Sequence, residues 1–549
     1  MGLTASLVSD TVTQSTTPHR RPDLLISGGL VVDGTGRLPF RADLAVTNGV
    51  ITALLDPPND PADARGAHAA YLVDVTGLVV APGFIDIHSH ADFTLHGSPA
   101  AETVLSQGVT TLVGGNCGWS PFPHTGAGLL QRASSFMHPE VDWTAHDAGS
   151  FGRVLAADPP GVNVVLQVGH ASLRLAVMGT TNRAPDATEL AQLCALVEQA
   201  ADEGVRGYTT GLTYAPCSYA ALPEITAVAK VAAARGLTHA THMRDEGAGL
   251  LGAVDEALAI ARRSGVRLQI SHIKALGTAN FGLVEQALTL LDDAVDEGID
   301  VACDAYPYAA SSTTLTSRLP GWSMTAGVDG LVQILHDRHR RAALAQDLND
   351  RLGKAFEPDH LVVAAVGPDG DPTTVGMTLA RIGEQRGQDS VEATLGVLAE
   401  NRGDVTIVAH VMRDEDVWTV LRHPLASVAS DGWVVRPHGE GSPHPRSFGT
   451  FPRVLREGTS NGSLTLTEAV RKMTSMPAAR YGLTGRGLLQ PGAVADIVAF
   501  DPGTITDRST FADPWQVSHG IRHVWLRGNP ALTDGAVTTS RYGQVLTDL

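Results

Sequence analysis

The chain has 549 residues, with 40 Lys and Arg against 58 Asp and Glu, giving a formal charge of −18. That charge excludes a binder of nucleic-acid phosphates, which needs basic patches, and a hydrophobic share of 43% excludes global disorder. No apolar run reaches the roughly 18 residues of a membrane span, and four cysteines without a CxxC pair are too few for a disulfide scaffold. Length alone predicts about three or four domains. The 21 histidines invite a search for metal ligands.

Residues 1–21 are rich in Ser and Thr and lack the charged and apolar regions of a secretory signal. A flexible tail and a cytoplasmic protein are therefore expected. Residues 23–55 alternate short apolar runs with turns, and Gly28-Gly29 and Asn48-Gly49 read as hairpin turns. The same β texture returns at 491–502 and 521–529. The two ends either build one small domain together or are two unrelated β pieces.

The middle has another rhythm. Buried-type strands are expected at 79–90, 109–118, 162–170, 205–214, 237–246, 266–274, 299–308 and 425–432. Segments between them, such as 187–204 and 283–298, carry apolar residues at helical spacing. Strand–helix alternation predicts a parallel sheet, and eight such units fit an α/β fold of the (β/α)8 TIM-barrel type. A ninth candidate strand lies at 405–410. Residues 309–400 are too long for one connection and carry helices such as 331–348, so they are assigned to an insertion near the barrel mouth.

Side chains at the C-terminal ends of barrel strands meet at one mouth. His88 and His90 are two apart and so face the same side of a strand. Cys117 ends the second strand, His242 and His272 the fifth and sixth, and Asp431 the last. A single His at such a position is most often a hydrogen-bonded structural residue, and a single Cys a small buried hydrophobe. Six such residues at comparable strand ends point instead to a metal centre.

The run PGFIDIHSHAD (82–92) resembles the amidohydrolase superfamily. GGNCG (114–118), GYTTGLTYAP (207–216), THMRDE (241–246), SHIKALG (271–277), DAYPYAASST (304–313), ASDG (429–432) and HPRSFGTFPRVL (444–455) together resemble its D-aminoacylase branch, the N-acyl-D-amino-acid deacylases. The resemblance runs from about residue 22 to 530. Its most specific element is the Cys of NCG, because other branches carry a carbamylated Lys or a Glu as bridging ligand. The resemblance implies a distorted barrel over 81–484, with an inserted segment at about 309–400. It also implies a small β-sandwich built from 22–80 plus 485–549.

By the same resemblance, Cys117, His242 and His272 hold a tightly bound Zn2+, while His88, His90 and Asp431 frame a second, weaker position. Asp431 is the expected general base. A small-molecule substrate with a carboxylate would meet Lys274, Tyr306 and Arg446, with Ser312 and His170 as weaker candidates. The implied reaction is hydrolysis of an N-acyl-D-amino acid to a carboxylic acid and a D-amino acid. Alternatives are a cyclic-amide hydrolase of hydantoinase or dihydroorotase type, a specialised D-peptidase, and a non-catalytic scaffold with the same fold. The stretch GWVVRPHGEGSP (432–443) is longer than the family pattern and brings Trp433 and His438 near the site, which leaves the acyl and side-chain preferences open. His96, His124, His138 and His146 read as surface residues, and Cys194, Cys217 and Cys303 as packing residues.

Overall fold

The computed structural model describes residues 21–56, 69–137, 139–367 and 370–547. The tail expected over 1–20 and the surface reading of His138 lie outside the described residues.

Eight parallel strands form the centre. They are β1 (Phe84–Asp86), β2 (Val109–Val113), β3 (Asn163–Val165, continuing as Gln167–Gly169) and β4 (Gly207–Gly211). The others are β5 (Thr238–His242), β6 (Arg267–Ile270), β7 (Val301–Ala305) and β8 (Ala426–Val428). Each pairs in parallel with the next from β1 to β8. A parallel bridge between Ser89 and Gly432 closes the ring, backed by a 2.8 Å bond from the Asp431 N–H to the His88 carbonyl. The eight-strand barrel read from the alternation is thus present.

Its helices form for local reasons. The helix Ala187–Asp202 buries Leu193, Val197 and Ala200, one stripe at helical spacing. Its start is set by Asp186, which accepts the N–H groups of Thr188 and Glu189 in a capping box, a device worth about 1 kcal/mol.

Three expectations change. The strand expected over 79–90 is cut at Gly83. Val79–Pro82 joins another sheet while β1 enters the barrel, and a Cβ on Gly83 would collide with the Thr110 side chain. Gly28-Gly29 is not a hairpin. It carries the chain from one sheet (Leu24–Ser27) to another (Leu30–Val31), and side chains there would collide with Thr76 and Val80. Asn48-Gly49 does turn a hairpin, with φ of 53° and 77°, the left-handed pair of a type I′ turn. Third, Val405–Ala409 is not a barrel strand but the centre of an antiparallel sheet with Ser311–Thr314 and Leu361–Val366.

That sheet and the helices Gly327–His336, Arg338–Asp350, Leu379–Arg386 and Ser390–Glu400 share an apolar core drawn from residues 315–411. The helix expected over 331–348 is two helices, because Asp337 ends the first and caps the second through the N–H groups of His339 and Arg340.

Strands from both chain ends lie in one seven-stranded sheet, where Val79–Pro82 pairs with Ile497–Phe500 on one side and Leu30–Val31 on the other. A four-stranded sheet packs against it through Leu24, Leu44, Val80, Ile497 and Trp525. Among the described residues no helix is long and apolar enough to cross a membrane.

Candidate metal centre

Three positions at the barrel mouth hold unusual backbone. Cys117, His272 and Asp431 have φ of 53°, 35° and 50°, in the left-handed region that side-chain-bearing residues avoid at a cost on the order of 1–3 kcal/mol each. Neighbours impose these conformations. The His272 N–H donates to Asp304 Oδ1 at 2.7 Å, and the Asp431 N–H to the His88 carbonyl. The Cys117 carbonyl packs so closely on Gly211 that a Cβ there would collide with it. Strain held by three of the six strand-end residues marks the place as functional.

The six side chains converge. Cys117 Sγ lies 3.4 Å from His88 Nε2 and 3.4 Å from His272 Nε2, and the His242 ring stacks edge-on against His272, centroids 4.5 Å apart. Asp431 Oδ1 is 3.1 Å from His90 Nε2 and 3.4 Å from His88 Nε2. All six are buried.

The donor set fits zinc. Donors about 2.0–2.3 Å from a tetrahedral ion stand about 3.5 Å apart, close to the separations observed. Two donor groups share His272, namely His88, Cys117, His272 and Asp431, and His242, Glu246 and His272. Burial pushes the Cys117 thiol up, but the His88 and His272 charges and hydrogen bonds from His242 and His272 outweigh it. They hold it well below the usual thiol value, in the ligating thiolate form. Burial likewise opposes a charged His90, yet hydrogen bonds to Asp431 and Cys117 raise it to about 9. The pocket's field therefore favours a cation.

Two carboxylates that the sequence reading missed brace the imidazoles from behind. Glu246 Oε1 is 3.0 Å from His272 Nδ1 and its Oε2 is 3.5 Å from His242 Nε2. Asp304 Oδ1 lies 3.4 Å from His88 Nδ1. Their signal was present, an acid in THMRDE and an acid opening DAYPY, but nothing in the linear order says which imidazole each meets. Outer carboxylates fix ring orientation and raise ligand basicity. Glu246→Gln is expected to weaken zinc binding by about 10- to 100-fold in a chelator competition assay; unaltered affinity would remove Glu246 from this role.

The expected substrate residues separate. Arg446 is buried, with Nη1 2.7 Å from Asp431 Oδ2 and its guanidinium 4.9 Å over the Tyr306 ring. Its Nη2 donates to the Ser312 carbonyl at 3.3 Å, while its Nε has no hydrogen-bond partner. Lys274 pairs with Glu246 and lies 2.8 Å from His272 Nδ1. Lys274, Tyr306, Ser312 and Arg446 all line one cavity of about 390 Å³ that also contains Cys117 and Asp431.

His170 is not brought there. It is fully buried elsewhere, donating to Glu224 at 2.9 Å and accepting from the Tyr208 hydroxyl at 2.8 Å, while Arg174 also grips Glu224. Its place at the end of the 162–170 strand made it a candidate for either substrate contact or a structural brace, and the helix His170–Met178, which starts at once, turns the ring into the core. Nor are His96 and His124 surface residues. Both are half-buried, against Phe151 and Trp143, and burial pushes both pKa values down. His146 is exposed; Cys217 and Cys303 are buried in the core and Cys194 is half-buried against it.

His444 was not singled out from the sequence. Its Nδ1 accepts the Arg446 N–H and its Nε2 donates to the Ala310 carbonyl, both at 3.0 Å. The ring thereby ties the loop bearing Arg446 to the start of the inserted segment. That segment also supplies Arg318, a partly buried cavity residue whose Nε has no hydrogen-bond partner. No motif surrounds Arg318, and only the folding of residues 311–411 over the mouth brings it there.

The chain belongs to the amidohydrolase family, whose model matches residues 72–531. A D-aminoacylase from Alcaligenes xylosoxydans xylosoxydans is 36% identical to it over 531 residues, covering 95% of this chain and 97% of that protein. An N-acyl-D-glutamate deacylase of the same organism is 36% identical over 525 residues, covering 95% and 96%. Among solved structures, the N-acyl-D-glutamate deacylase of Bordetella bronchiseptica superposes with a TM-score of 0.81 at 34% identity, covering 96% of this chain and 100% of that one. It holds zinc and a phosphonate inhibitor that mimics the tetrahedral intermediate.

Proposed function

We propose that this protein is a zinc-dependent hydrolase of N-acyl-D-amino acids, releasing a carboxylic acid and a D-amino acid. The observation that carries the reading is the convergence of the Cys117 thiolate, four imidazoles and the Arg446-paired Asp431 at one barrel mouth. Cys117, His242 and His272 would hold the tight zinc, and His88, His90 and Asp431 would frame the weaker position. Bound there, zinc supplies a Lewis acid and lowers the pKa of water towards 7. We assign 22–80 with 485–549 to one small β domain and 81–484 to the catalytic barrel, a division supported by the sheet that both ends share.

The chain's own groups account for the proton traffic. Asp431 takes a proton from the attacking water and returns it to the departing amine. Burial would raise its carboxyl, but the Arg446 charge above all holds it well below the usual carboxylate range, so it stands in the accepting form at neutral pH. Arg446 engages Oδ2 and leaves Oδ1 facing the two imidazoles. Tyr306 and Arg446 Nε are positioned for the substrate α-carboxylate, whereas Lys274 is held by Glu246 behind His272. Arg318 faces the same cavity and favours an acidic side chain, in line with the relatives that act on N-acyl-D-glutamate.

The test is release of amine from paired N-acetyl-D- and N-acetyl-L-glutamate and from N-acetyl-D-alanine. Cleavage of the D-glutamate derivative ahead of both others is expected. Preference for the L substrate would refute the stereochemical assignment. Faster opening of a hydantoin or dihydroorotate would move the protein to the cyclic amides.

A further inference from the structure

Six cationic side chains line the cavity, and they divide by partner. Lys274 pairs with Glu246, Arg446 with Asp431, and Arg244 with Glu256. The other three, Arg318, Arg351 and Lys354, make no ion pair with a carboxylate among the described residues. Arg318 reaches only the Ser311 hydroxyl at 3.5 Å, Arg351 Nη1 donates to the Arg318 carbonyl at 3.1 Å, and Lys354 Nζ meets the Asp350 carbonyl at 3.5 Å. All three belong to the segment between β7 and β8. Burial above all pushes the Arg318 guanidinium down, against the attraction of Glu246 across the cavity, and the neighbouring Arg351 charge adds to the lowering.

In a chain of net charge −18, acids for pairing are abundant, yet this wall of the cavity carries three cations without an ion pair. Glu357 also lines it, but its carboxylate meets Thr278 at 3.4 Å instead. Such a wall is complementary to an anion that arrives from outside. The contact between Arg351 and the Arg318 backbone sets the two arginines side by side on this wall, with Lys354 three residues on lining the same cavity.

We propose that Arg351 and Lys354 form a second anion subsite, which takes a carboxylate carried beyond the substrate's side chain. The ligand class is an N-acyl-D-glutamyl compound amide-linked through its γ-carboxyl to a further amino acid. The γ-carbonyl would accept from Arg318, and the terminal carboxylate would reach Arg351 and Lys354. The inference rests on the reading above, in which the side chain points at Arg318.

The experiment compares kcat/KM for N-acetyl-γ-D-glutamylglycine with that for its glycinamide, which differs only in lacking the terminal charge. N-acetyl-D-glutamate is run alongside. The wild type is expected to prefer the charged extension by about tenfold, the scale of a hydrogen-bonded charge contact. In the Arg351→Gln/Lys354→Gln variant that ratio should fall to about one, and in the wild type it should shrink with added salt. Cleavage of N-acetyl-D-glutamate with a wild-type ratio near one would overturn the subsite and leave the deacylase reading standing. A ratio unaltered in the variant would overturn the assignment to these two residues. Failure to cleave any of the three compounds would overturn the D-glutamyl reading and the subsite with it.

Discussion

Asp431→Asn is expected to lower kcat by about 10³-fold, inside the range of about 10²–10⁴ for a positioned acid–base group. The amide keeps the volume and can still meet His90, but it cannot accept and return a proton. The substitution also strips the buried Arg446 of its counter-charge, which breaks a pair 2.7 Å long between side chains that are both nearly inaccessible to solvent. Leaving one buried charge alone costs on the order of 3–5 kcal/mol, so the variant should unfold at lower temperature or denaturant. Activity must therefore be measured where circular dichroism shows it folded. Adding Arg446→Gln should recover part of the stability and none of the rate. Full activity in the single variant would remove Asp431 as the base.

Cys117→Ala is expected to lose the tight zinc altogether. Removing even an outer partner of a metal ligand costs about 10–100-fold in affinity, and this thiolate meets the His88 and His272 imidazoles directly, so the loss should exceed about 100-fold. Elemental analysis after dialysis reads the outcome directly. Wild-type protein should keep near one equivalent and the variant almost none, with activity lost in parallel. Undiminished zinc in the variant would take Cys117 out of the ligand set.

The six candidate ligands were legible because each sits at the C-terminal end of a short buried strand, and strand–helix alternation is a local property of the chain. The two-residue spacing of His88 and His90 suggested a shared strand face, but β1 ends at Asp86 and both side chains converge from the turn that follows it. What could not be read depended on packing between distant segments. His170 occupies a strand end like the others, yet Glu224 and Tyr208 take both its ring nitrogens and seat it in the core. Glu246 and Lys274 were both in recognisable motifs, but their pairing across strands β5 and β6 converts an expected substrate cation into part of the brace behind His272. The division of 79–90 at Gly83 escaped the pattern because both halves are apolar and a change of sheet leaves no mark on hydrophobicity.

The sequence by itself determined the barrel rhythm, the metal-type residues at its strand ends and the β character of both termini, since each follows from short-range periodicity and side-chain chemistry. Only the tertiary structure decided which sheet each end strand joins, that Arg446 is spent largely on Asp431, and that residues 311–411 fold as a separate sheet and helices carrying Arg318, Arg351 and Lys354 to the cavity. The physical reason is that pairing of charges and sheet edges is settled by which surfaces meet across hundreds of residues, and a linear pattern records only what each segment could offer.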